Sequence, residues 1–233
     1  MSAQASAKLT AAETKSKNRA DLEIARRTSS LNDLLTRVSD IKNLSDSDKA
    51  SISAAINAQL SSLATLKTKI DADTDSVTLK TDVQSITGSY RVYALLIPQV
   101  RIIAAADRIV TITREMQELG AKLQARITAA QTSGADVTAA ITAFTDFNAQ
   151  IADAQTNAQA AVTAVAALVP DQGDATKMAA NTAALKAARA QIVAAQKDVR
   201  AAYADSQTII KAVKGKPTVA ATASTTASAG TAQ

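Results

Sequence analysis

The sequence predicts an all-α fold: an elongated antiparallel helical bundle or coiled coil, built as two tandem three-helix bundles that share a long helix kinked near Pro98. Three observations predict it. Apolar residues make up 47% of the 233, and much of that share is alanine, the best helix former, while aromatics supply only 2%. Chain breakers are scarce, with 6 glycines and 3 prolines. Apolar residues also recur three and four apart through most of the chain, the spacing of one buried helix face. The expected division is a flexible start over 1–8, a first bundle over 9–97, a second over 98–214 and a disordered Ala/Thr/Ser-rich tail over 215–233. A single compact bundle with the long helix at its centre is the competing arrangement.

The first helix is expected to run to about Asn43. Ile24, Leu31 and Val38 stand seven apart, with Leu34 and Ile41 interleaved, which is an a/d seam. Ser45 followed by Asp48 reads as a capping box with Asp in place of Glu, opening a second helix. That helix carries Ile52, Ile56, Leu60, Leu63, Leu66 and Ile70 on one stripe. Asp75 or Ser76 caps the third helix. Its stripe is Leu79, Val83, Ile86, Tyr90, Tyr93, Ile97 and Val100, without a phase error. Pro98 falls inside this run and costs an interior helix ~3 kcal/mol. Because the pattern resumes with Ile109, Ile112, Met116, Leu119, Leu123 and Ile127, the reading is one helix kinked at the proline.

Gly134 serves as a left-handed stop. The next helix is read from about Asp136 to Leu168, with a stripe of Val137, Ile141, Phe144, Phe147 or Asn148, Ile151, Ala158, Val162, Val165 and Val169. Pro170 to Asp174 is a loop ending in a cap. The last helix carries a heptad of Met178, Leu185, Ile192, Val199, Ser206 and Val213, with Asn181, Ala188, Ala195, Ala202 and Ile209 at the d positions. Alanine at successive d positions admits a close neighbouring helix. Gly215 and Pro217 end the pattern.

Function is constrained mainly by exclusion. Histidine, cysteine and tryptophan are absent, which removes imidazole bases, thiol nucleophiles, disulfides and Cys/His zinc sites. Apart from Asp107 near the centre, no carboxylate is set by its sequence context in an apolar setting beside a second candidate, so the chain is read as non-enzymatic and without a cofactor. The net charge is +5, but acids and bases alternate. The basic group Lys15, Lys17, Arg19, Arg26 and Arg27 is interrupted by Glu13, Asp21 and Glu23 and lacks aromatic stacking partners, which argues against specific nucleic-acid binding. No run approaches the length of a membrane span.

Two candidate sites stand out. Tyr90, Tyr93, Arg101 and Arg108 flank the most hydrophobic stretch, where a small or apolar ligand could enter at the kink. Core packing for the tyrosines and exposed ion pairs for the arginines are the competing explanations. Asp71, Asp73, Asp75 and Asp82 occupy positions 1, 3, 5 and 12 of a calcium-loop spacing. Ser76 replaces the required glycine at position 6, so a turn with several capping acids is the favoured reading and the metal reading is weak.

The segments Thr65–Asp75, Gln84–Gln99 and Leu168–Asp174 resemble a family of uncharacterised, predicted secreted helical proteins of candidate-phylum (ultrasmall) bacteria. The similarity extends over about 20–213. Members usually begin with a signal peptide, whereas the opening residues 1–8 here lack a hydrophobic segment. The resemblance therefore implies a mature form of an exported protein, located in the secreted or cell-surface compartment, and implies no site residues. The expectation is a non-enzymatic exported helical rod acting as a structural, spacer or adhesion module at the cell surface. It would contact a protein partner, or a second copy, through its helical faces. The alternative is a binding protein for a small or apolar ligand near Tyr90–Arg108.

Overall fold

In the computed structural model the described residues are 3–88 and 90–214, with side chains from residue 10 onward. The expected tail over 215–233 lies outside the described residues. The chain is an all-α helical bundle, and no strand occurs among the described residues. The elements are α1 (Ala3–Asp40), α2 (Asp46–Ala72), α3 (Ser76–Gly88), a π-helical turn (Val92–Leu96), α4 (Ile97–Thr132), α5 (Thr138–Val165) and α6 (Ala175–Val213). Helix α1 therefore includes most of the residues expected as a flexible start.

The termini form where the sequence supplies caps. Ser45 Oγ accepts the Asp48 N–H at 3.1 Å and donates to the Asp48 carboxylate at 2.6 Å. Asp75 Oδ2 accepts the Thr78 N–H at 2.7 Å. Asp136 and Asp174 play the same part for α5 and α6. Gly134, at φ 78, closes α4: its N–H reaches Gln131 O and the Ala135 N–H reaches Ala130 O, the paired bonds of a Schellman stop.

The expected single helix kinked at Pro98 is corrected. Helix α3 ends at Gly88, and Arg91 adopts a left-handed conformation, φ 45 and ψ 26. The following turn is wound as a π-helix, with the Ile97 N–H bonded to Val92 O. Pro98 is the second residue of α4. In a continuous α-helix its ring would meet the carbonyl of Ala94, and a wide turn ahead of it relieves that clash.

Magnitudes explain why the break prevails. A left-handed non-glycine residue costs ~1–2 kcal/mol. Against this, Val92, Leu95 and Leu96 are each 1% exposed, and burying each contributes about 1.5–3 kcal/mol. The unbroken stripe would have placed Tyr93 inside; it is instead 38% exposed, and Val83 and Ile97 are only half-buried.

The chain forms two compact units: Met1–Thr111 with Ala154–Gln196, and Ile112–Asp153 with Lys197–Gln233. This division passes through α4, α5 and α6 and does not follow the expected 9–97 and 98–214 boundary. In the first unit α1 packs against α2 and α3, burying Ile24, Leu31, Leu34, Val38 and Ile41. From α2 come Ile52, Ile56, Leu63, Leu66 and Ile70, with Leu60 half-buried and Gln59 buried beside it.

In the second unit Leu123, Ile127, Phe147, Ile151, Ile209 and Val213 form the core with small residues such as Ala140, Ala143 and Ala202. Phe147 is wholly buried, and a Cβ added to Gly120 would lie 3.0 Å from its ring edge. Gly120 thus lets α4 accommodate the largest fully buried side chain among the described residues.

The stripe expected for α5 is corrected at its edges. Ile141 is 44% exposed, Val169 is 50% exposed, Phe144 and Val162 are half-buried and Asn148 is exposed. The inner face is instead Ala140, Ala143, Phe147, Ile151, Ala154, Ala158, Ala161 and Val165. On α6 the heptad is buried except at Val199, which is half-buried, and Met178, which is 37% exposed.

Candidate functional site

The tyrosines and arginines of the central segment take separate positions. Tyr90 is buried and its hydroxyl donates to Ser62 O at 3.1 Å. Burial first, and then the Asp82 charge, push its phenol above the usual range. Tyr93 lies against α1, with the guanidinium carbons of Arg26 and Arg27 at 5.5 and 5.1 Å from its ring centre. Burial would raise the Tyr93 phenol, but hydrogen bonds with Ser30 and Arg26 and the two positive charges outweigh it and hold the group low. Arg27 is itself buried and paired with Glu23. Arg101 and Arg108 are exposed on α4.

Three polar residues, Gln99, Arg91 and Asn181, fasten the loop after α5. Gln99 is 2% exposed and its amide donates to Val165 O at 2.7 Å and to Leu168 O at 3.2 Å, supplying the end of α5 with donors. Arg91 Nε lies 3.3 Å from Asp171 Oδ2, close enough for ionic attraction but not aligned as a hydrogen bond. Asp171 Oδ1 accepts the Gly173 N–H. Asn181 completes the fastening by donating to Val169 O at 3.0 Å. The sequence signal for these roles was weak: a Gln beside a Pro in an apolar run, and an Asn at a d position.

A cleft of about 170 Å³ opens within the first unit, beside the part of α4 that follows Arg101. Its apolar wall comes from Ile41 and Leu44, from Ile103, Ala106 and Val110 on α4, and from Ala158 and Val162 on α5. Asp107 forms one edge. Its Oδ1 accepts the backbone N–H of Lys42 at 3.0 Å, that of Asn43 at 2.6 Å and the Asn43 side-chain amide at 2.8 Å, which ties the α1–α2 connector to α4. Asp48, in the first turn of α2, and Ser45 also line the cleft. The cleft thus borders the sequence-predicted segment but is lined by residues other than Tyr90, Tyr93, Arg101 and Arg108.

Of Asp71, Asp73, Asp75 and Asp82, three are engaged separately through their carboxylates, whereas Asp73 Oδ2 is buried without a hydrogen-bond partner. Asp71 pairs with Lys67 at 3.0 Å, Asp75 caps α3, and the buried Asp82 pairs with Lys69 at 2.8 Å. The carbonyls of Asp71 and Asp73 accept from Lys17 Nζ at 2.8 and 2.7 Å, which places an ammonium at the carbonyl end of α2. Thr78 donates to Asp75 through both its backbone N–H and its hydroxyl, holding that carboxyl below its usual range. Among the described residues, no group of three or more acidic side chains is arranged to hold a metal ion. No described helix is long and apolar enough to cross a membrane.

The sequence matches no protein-family model, and no characterised protein or solved structure is similar enough to it to count as a match.

Proposed function

We propose that this chain is a non-enzymatic helical module with a structural, spacer or adhesion role at the cell surface, exerted through contacts made by its outward helical faces with a protein partner or a second copy. One observation carries the reading: the polar groups that the fold draws together are occupied in holding it together. Asp107 binds the α1–α2 connector, Gln99 and Asn181 bind the loop after α5, and Lys17 closes α2. A residue committed to backbone hydrogen bonds is poorly suited to proton transfer, which needs a group within reach of a reacting atom. The outward faces carry isolated large apolar side chains, among them Val193 at 65% exposure and Tyr203 at 61%. The exported location draws its support from the family resemblance of Thr65–Asp75, Gln84–Gln99 and Leu168–Asp174.

The test combines location with contact. Protease added to intact source cells is expected to degrade the chain. Photo-crosslinking residues placed at Val193 and Tyr203 are expected to trap a discrete partner or a second copy. Full protection from protease overturns the surface location, and the absence of any discrete cross-linked species from either position overturns the contact role.

A second reading, a binding protein for a small ligand, is favoured by one observation: the 170 Å³ cleft bordered by Asp48 and Asp107.

A further inference from the structure

A groove of about 420 Å³ runs between α1 and α3, both in the first unit. Arg19, Leu22 and Arg26 line it from α1, and Val83 and Thr87 line it from α3. Two of these are apolar side chains that the core does not take up. Leu22 lies off the buried seam of α1 and is 73% exposed. Val83 is only half-buried, although it belongs to the apolar stripe of α3. Together they leave apolar surface open to a partner, whereas Ala20 and Ile86 beneath them are covered.

The charge around this surface is positive. Glu23 is the one acid lining the groove, and the buried Arg27 already pairs with it. Arg26, with a side chain 68% exposed, lies 3.3 Å from the same carboxylate. One carboxylate therefore serves Arg26 and Arg27, and Arg19 is exposed beside them. Asp21 is turned to α2, where it pairs with Lys67. Lys15, one turn before Arg19, and Lys80, one turn before Val83, are both exposed. Along α1 the pattern is cation, leucine, cation at 19, 22 and 26, which spans ~10 Å.

We propose that this groove docks an acidic amphipathic helix of a protein partner, with acids seven residues apart that meet Arg19 and Arg26, and an apolar side chain between them that covers Leu22 and Val83. The inference rests on the reading above, that the chain works through contacts of its outward helical faces, and names one such face and the chemistry of its partner. The spacing matches because two helices share one rise per residue. An anchor in the groove flanked by charges is the helix-in-groove mode of recognition. A nucleic acid fits less well, since no aromatic side chain lines the groove to stack on a base.

The test uses the full chain with methyl-labelled leucine and valine, followed by NMR. The probe is a helical peptide with glutamates seven residues apart and leucines at the two positions midway, in an alanine and glutamine host. It is expected to shift the Leu22 and Val83 methyls saturably. The same peptide with lysine for glutamate should leave them unmoved. Glutamine for leucine in the peptide should weaken binding at least about tenfold, as loss of a buried leucine implies. In the protein, Leu22→Gln should have a similar effect, and Arg19→Glu should weaken binding about threefold or more. Both positions are exposed, so neither change is expected to disturb the fold.

Absence of any shift with the acidic peptide overturns the inference, as does an equal response to the lysine peptide. A response confined to phosphatidylglycerol vesicles or to an oligonucleotide overturns the partner class. The cross-links expected at Val193 and Tyr203 on α6 report the general contact role separately: if they form and no acidic peptide binds, this inference fails alone. The comparison of peptides uses the unmodified chain and does not depend on a variant folding.

Discussion

At the scale of single residues, the chain uses its polar side chains mainly to satisfy backbone. Gln99 illustrates why: helix α5 ends against α4, its last carbonyls face protein, and a buried carbonyl without a donor costs free energy. Titratable groups follow the same logic with a clear sign. Asp205 on α6 has its carboxyl pushed up, first by burial and then by the charge of Asp146 on α5. A carboxyl raised by folding contributes stability that is complete below its unfolded value and is lost as pH rises through the folded one. At neutral pH this pair therefore weakens the second unit. Asp146→Asn is expected to raise the melting temperature at pH 7 and to lower the Asp205 titration midpoint in part, since burial remains. The gain should vanish near ~pH 3, below the ordinary aspartate value, where Asp205 is neutral and no longer repels position 146. Carbon-detected NMR titration with thermal melts at both pH values checks it; an unchanged Asp205 midpoint would sink the assignment.

At the scale of elements, helix ends were the most legible features. Ser45, Asp75, Gly134 and Asp174 act locally, within a few residues of themselves, and each was identifiable from its neighbours. Which face of a helix turns inward was legible where large and small residues separate cleanly, as on α6. On α5 it was not. A pattern weighted by large side chains selects Ile141 and Val169, while the interior accepts Ala140, Ala143, Ala154 and Ala161 because close helix approach favours a small residue over a large one.

Gly120 and Phe147 are the counterpart, a small residue making room for a large one across two helices. Gly120→Ala alone should lower stability, because Phe147 is fully enclosed and cannot withdraw from a Cβ at 3.0 Å. In a Phe147→Leu background the same change should instead stabilise by up to ~1 kcal/mol, the helix-propensity gain. Denaturant titration of the four proteins gives the coupling, and additive effects would count against the steric account.

At the scale of the molecule, the second unit is built around Phe147, stacked on the half-buried Phe144, in a largely aliphatic, alanine-rich core. Phe147→Ala is expected to cost about 3–5 kcal/mol. Hydrogen exchange should then accelerate first in 112–153 and 197–213, with protection retained across α1 and α2. Uniform acceleration throughout would argue that the two units do not open separately.

The all-helical class, the turns and the heptad of α6 follow from the sequence by itself, because propensity, capping and periodicity are local properties. The break before the π-turn, the exposure of Tyr93, the use of Gln99 and Asp107 as fasteners, and the cleft were decided by tertiary structure. An unbroken stripe from Leu79 to Val100 is compatible with one long helix. The choice against it came from burying Val92, Leu95 and Leu96 together, a gain that exists only when the rest of the first unit is in place to cover them.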